Sequence, residues 1–102
     1  MTEDRGRIVL ENTKTGHNKF YIISFVVEIG TIGERLWRVE TRYGKRSIYE
    51  DWRNYLGAGT YNPHFFPNSE SAVRFIKGSI SIRVKHGYVC TENTLQLTMP
   101  GV

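Results

Sequence analysis

The sequence predicts an α+β domain, and two observations carry that expectation. Two runs in the first half, Lys19 to Ile29 and Arg35 to Thr41, are rich in β-branched and aromatic residues and alternate at period two. Further on, Asn68 and Ser69 are good helix N-caps, and they open a stretch whose apolar residues fall mostly on one helical stripe.

Each element follows from its residues. Residues 1 to 6 read as a polar N-terminal arm, and Arg7 to Glu11 as a short strand around Ile8, Val9 and Leu10. Asn12 to Asn18, with its Asn, Thr, Gly and His, is a turn. In the next strand Tyr21, Ile23, Phe25, Val27 and Ile29 share one face, and Phe20, Ile22 and Val26 the other. Apolar residues on both faces require a strand covered on both sides, or one with a partner. Gly30 to Glu34 is the turn of a hairpin whose second strand points Trp37, Val39 and Thr41 one way and Arg38, Glu40 and Arg42 the other. Trp37 is read as core because it shares its face with Val39. Gly44 is expected to permit a bend or a positive φ.

Ser47 to Leu56 carries Tyr49, Trp52, Tyr55 and Leu56 at the spacing of a short helical turn, and Gly57-Ala58-Gly59 is a flexible turn. Thr60 to Phe66 returns as a strand that Pro63 confines to an edge or a bulge. The helix then runs from Asn68 or Ser69, with Glu70 in its first turn and Ala72, Val73, Phe75, Ile76, Ile80 and Val84 as its stripe. Gly87 is its C-cap. Ile80 to Val84 also alternates as a strand would, and Gly78 weakens a helix, so the pattern alone fits both states there. Val89 to Thr98 adds a last strand through Leu95 and Leu97, and Pro100-Gly101-Val102 is a frayed end.

A chain of 102 residues is expected to form one domain with a modest core. Its net charge of +4 favours a polyanionic partner, and serves solubility equally well. Cys90 is the only cysteine, so no internal disulfide forms and a reducing cytoplasmic setting is expected. The polar N-terminus has no signal-peptide core, and the apolar run from Ile22 to Val27 is too short to span a bilayer, so no membrane partner is expected. His17, His64 and His86 are scattered and lack metal-ligand spacing. Cys90 near His86 has no orienting third group, and Glu50-Asp51 reads as solvated surface. No phosphate-binding or nucleophile-elbow motif is present. The expectation is a non-enzymatic protein with no metal and no cofactor.

The positive charge is clustered. Arg35, Arg38, Arg42, Lys45, Arg46 and Arg53 crowd one stretch, interleaved with Trp37, Tyr43, Tyr49 and Trp52. Cations neutralise phosphates, and an exposed ring stacks on an open base or sugar. Arg74, Lys77, Arg83 and Lys85 form a second basic set on or near the helix.

Several short blocks in fixed order resemble the WGR domain, a small module named for a Trp-Gly-Arg tripeptide. Leu10-Glu11 fits its first strand, and Asn18-Lys19-Phe20-Tyr21 looks like the start of its long strand. Arg42-Tyr43-Gly44-Lys45 stands where the family has Arg-Trp-Gly-Arg. Phe66, Ser69, Ala72 and Phe75 resemble its helix start, and Lys85 with Gly87-Tyr88 its helix end. The resemblance implies a small antiparallel sheet with one helix packed across it, and helix through residues 80 to 86. It implies a WGR-like domain over residues 7 to 89 with an extended segment at about 46 to 65, followed by a C-terminal extension over 90 to 102.

WGR domains occur in DNA-damage-sensing poly(ADP-ribose) polymerases, where the motif Trp packs against the terminal nucleotide of a break, and in bacterial stand-alone proteins. The resemblance therefore implies a nucleic-acid-binding module for DNA ends or nicks, tied to DNA repair. By position Tyr43 is the stacking group and Lys45 the cation, with Gly44 between them. Lys19, Arg38, Arg42, Arg46 and Lys85 complete the expected nucleic-acid-contacting set. Tyr for Trp shrinks the stacking surface, and Lys for Arg removes the planar fork. The alternative is an adaptor that docks a protein partner or a second copy through the two-sided apolar strand.

Overall fold

The computed structural model describes residues 1–14, 18–46, 52 and 59–95. The order of elements is β1 (Thr2–Asn12), β2 (Lys19–Ile29), β3 (Arg35–Lys45), β4 (Thr60–Phe66), α1 (Ser69–Lys85) and β5 (Val89–Asn93). The strands form one antiparallel sheet in the order β4-β3-β2-β1-β5. Four consecutive strands thus make a meander, and β5 joins at the far edge beside β1. The chain must cross the sheet to get there. Five strands place the outer two about 19 Å apart, and the 17 residues of α1 span about 25 Å, enough to make the crossing in one helix. The fold is α+β, with the helix packed across one face.

That face holds the main core. Ile8 and Leu10 of β1, Tyr21, Ile23 and Phe25 of β2 and Val39 of β3 meet Ala72, Ile76 and Ile80, an i, i+4, i+8 stripe of α1. Trp37, Phe66, Phe75, Val84, Tyr88 and Leu95 pack around it. Trp37 is therefore half-buried at the core margin, against Phe25. The opposite face carries a smaller cluster of Val9, Phe20, Ile22 and Trp52. Trp52 stacks on Phe20 with ring centroids 4.7 Å apart. Both faces of β2 are thereby covered, which explains its two apolar rows.

The helix start follows its cap: Asn68 Oδ1 accepts from the Ser71 N–H at 2.9 Å. The alternating stretch Ile80 to Val84 is helical because Ile80 completes the core stripe, while Ile82 is left 54% exposed. At the other end Gly87 adopts φ 92° just past the cap residue His86, and the Tyr88 N–H returns to the Arg83 carbonyl at 3.0 Å. Pro63 sits on β4, an edge strand.

Two expectations change. Residues 2 to 6, read as a polar arm, are the first half of β1 and pair with Glu28, Val27 and Val26. The cause is the length of β2, whose main-chain groups need partners as far as Ile29; Ile29 N–H donates to the Met1 carbonyl at 2.7 Å. A bulge between Asp4 and Gly6 corrects the register, and Gly6 is required there because a Cβ would come within 2.8 Å of the Thr94 carbonyl oxygen. The last strand is also shorter than its predicted span, ending at Asn93, with Leu95 packing on the core beyond it. The helical turn expected over 47 to 56 (Trp52 excepted), Arg53, His17 and Leu97 lie outside the described residues.

Candidate nucleic-acid interface

The register of the central hairpin builds the site. Lys19 pairs with Lys45 and Tyr21 with Tyr43, and directly opposed residues project from the same face. Here that is the helix side. The last turn of α1 brings Arg83 to the same place, and the Gly87 turn brings Tyr88. Lys19, Tyr21, Tyr43, Gly44, Lys45, Arg83 and Tyr88 line a cleft of about 280 Å³.

The cleft is layered. Tyr21 is 6% exposed and forms its floor, with Tyr43 stacked beside it at 5.8 Å between centroids and 16° between planes. Tyr43 is 36% exposed, so one side of its ring is open to a ligand. Arg83 holds its guanidinium 4.2 Å from the Tyr21 centroid and 6.0 Å from that of Tyr88. Burial pushes the Tyr88 hydroxyl pKa up, and the nearby Arg83 charge acts in the other direction. Lys19 and Lys45 are exposed at the rim, and among the described residues neither is in an ion pair. Among the described residues no carboxylate lines the cleft, and the charged groups that do line it are positive.

Gly44 serves close approach, which corrects the expected bend or positive φ. It lies in β3 with φ outside the left-handed region, and a Cβ there would lie 3.2 Å from Gly59 Cα and 3.4 Å from the Phe20 ring. Gly59 is the residue with positive φ, 73°, and its own Cβ would meet the Tyr43 carbonyl oxygen at 2.1 Å. The two glycines let the returning chain pass against the end of β3.

The expected site residues divide between two faces. Tyr43, Gly44, Lys45 and Lys19 come together. Arg38, Arg42 and Arg46 do not join them: the even-numbered β3 positions 38 and 42 project from the opposite face, and Arg46, just past β3, is held there by Glu11 and Trp52. There Arg42 is 7% exposed and donates from Nη1 to the Trp52 carbonyl at 3.0 Å. Desolvation, then the Arg7 charge, lowers its pKa. Arg38 is held between Glu28 and Glu40, with Nε 2.8 Å from Glu40 Oε1. Arg46 pairs with Glu11 at 3.0 Å, donates to Asn18 Oδ1 at 2.9 Å and covers the Trp52 ring. Lys85 is exposed on α1 and does not line the cleft.

Sequence reasoning missed Tyr21, Arg83 and Tyr88 as site residues. Tyr21 was expected on the core face, where it does lie; only the hairpin register shows that it also underlies Tyr43. The signal for Arg83 was its position three residues after the core residue Ile80, on the flank of the buried stripe. Among the described residues no group of His, Cys, Asp and Glu is placed to hold a metal ion. No family model, no curated protein and no solved structure matches the chain.

Proposed function

We propose that this chain is a non-catalytic nucleic-acid-binding module of the WGR type that contacts DNA ends or nicks with little sequence preference. A single observation supports this most: an open tyrosine ring, backed by a second tyrosine, sits among three cations, with no carboxylate among the described residues of the cleft. A base or sugar left unstacked at a strand end would lie on Tyr43, and Lys19, Lys45 and Arg83 would neutralise the adjoining phosphates. An uninterrupted duplex offers phosphates but no free ring face, so it engages only the cations.

Fluorescence anisotropy against nicked, blunt-ended and hairpin-capped duplexes at two salt concentrations tests the reading. Tyr43→Ala is expected to weaken binding to ends and nicks by about 5- to 150-fold, from roughly 1–3 kcal/mol per stacked base, and to leave the closed duplex nearly unchanged. Equal loss on all three substrates refutes end stacking.

A second reading, a docking module for a protein partner, has its own observation. The apolar row that first suggested it, Phe20, Ile22 and Val26, is buried, the first two in a cluster with Trp52. The exposed apolar side chains on that face are instead Leu36, Tyr61 and Phe65, at 43%, 49% and 56% exposure along β3 and β4. Absence of binding to any duplex at low salt would favour this patch.

A further inference from the structure

The helix carries a second basic surface that the cleft does not use. Opposite the buried stripe of Ala72, Ile76 and Ile80, α1 presents Arg74, Gly78, Ser81 and Lys85 along its crest, flanked by Lys77 and Ile82. Arg74 and Lys85 lie about 16 Å apart along the axis. Among the described residues Arg74, Lys77 and Lys85 are in no ion pair, and Glu70 in the first turn is the only acid on the helix. Cations in the last turn answer the helix dipole, which accounts for Arg83 and Lys85. Arg74 and Lys77 stand in mid-helix and have no such role.

Gly78 is the second observation. Glycine weakens a helix more than any residue but proline. Here a Cβ would meet nothing within 4 Å, so packing within the domain does not require glycine. A residue without a side chain at the centre of a basic crest leaves a low point where another backbone can approach closely.

From this placement we infer that the outer face of α1, centred on Gly78, is a contact surface for the sugar-phosphate backbone of duplex flanking the bound end. The inference rests on the nucleic-acid reading above and extends it. A duplex carries one charge per about 1.7 Å of axis, so a 16 Å row of cations meets several phosphates. The C-terminal turn of the same helix delivers Arg83 to the cleft, so end and flank would be held by one rigid element. The crest carries no sequence preference, since its cations meet phosphates and not base edges.

The test uses the full chain with nicked and hairpin-capped duplexes across a salt series. Arg74→Gln/Lys77→Gln is expected to reduce the slope of log K against log salt by about 2. It should weaken nicked and closed duplex by the same factor, keeping the preference for the nick. Gly78→Leu, which favours the helix, is expected to melt no lower than the wild type and still weaken both substrates. Arg35→Gln, off the helix, serves as the control for general loss of charge and is expected to leave the slope of the wild type. An unchanged slope in Arg74→Gln/Lys77→Gln overturns the inference, whatever the Gly78 variant does. If the wild type binds nicks and loses that preference with Tyr43→Ala while the helix variants bind normally, only the helix surface falls. If the wild type binds no duplex at low salt, both readings fall together.

Discussion

A guanidinium that is 7% exposed and donates to a main-chain carbonyl is not free to neutralise a phosphate. Arg42 is such a group: it ties β3 to Trp52 on the face opposite the helix. Arg42→Ala is expected to destabilise the fold by about 1–3 kcal/mol, the cost of leaving a buried polar partner unsatisfied. Chemical denaturation measures that loss. The same variant, assayed where it is folded, should keep the wild-type salt slope; a slope reduced by about 1 would make Arg42 a phosphate contact after all. At this scale the sequence was informative where alternation alone decides. Period two separated Arg38 and Arg42 from Trp37 and Val39, whereas the pairing of Lys19 with Lys45 and Tyr21 with Tyr43 is visible only in the structure. The sequence was silent on what would cover the row of Arg42. That depends on Trp52 landing on Phe20, a contact across a long stretch of chain that no local pattern encodes.

The helix is the element whose ends were most legible, because capping chemistry is local. Asn68, Glu70 and Gly87 each act through the nearest main-chain groups, and each sits where those groups need it. Asn68→Ala is expected to cost about 1 kcal/mol and to lower the melting temperature by about 4–8 °C in a domain of this size. A thermal melt followed by circular dichroism reads it; an unchanged midpoint would mean that packing against the sheet, and not the cap, sets the helix start. The interior was harder to read. Ile80, Ile82 and Val84 satisfy both a helical and a strand pattern, and only the packing of Ile80 beneath the helix decides between them. The first half of β1 was illegible for a different reason. Its residues are polar and carry no periodic signal, and they pair because β2 extends past the core and leaves main-chain groups to satisfy.

For the whole molecule the question is whether its two faces are one cooperative unit. The helix side holds a broad core, and the other side a small cluster that depends on Trp52. The strand order that creates this arrangement was not legible, since β5 pairs with β1 across almost the full chain. What links the faces is the end of β3. Phe20 stacks under Trp52, borders Gly44 and Gly59, and Gly59 in turn packs on the carbonyl of Tyr43. Loss of Trp52 would therefore remove the support beneath the cleft as well as a contact on the face opposite the helix. Trp52→Ala is expected to cost about 3–5 kcal/mol, a large share of the roughly 5–15 kcal/mol that holds a domain. In that variant Trp37, at the margin of the helix-side core, is the remaining tryptophan. Its fluorescence therefore reports the other face during denaturation. If the faces are coupled, the Trp37 transition moves to lower denaturant together with the circular dichroism signal, and under the proposed function binding to DNA ends weakens along with it. A Trp37 midpoint equal to that of the wild type would mean that Trp52 is a surface attachment and that the Tyr43 cleft stands on the helix-side core alone.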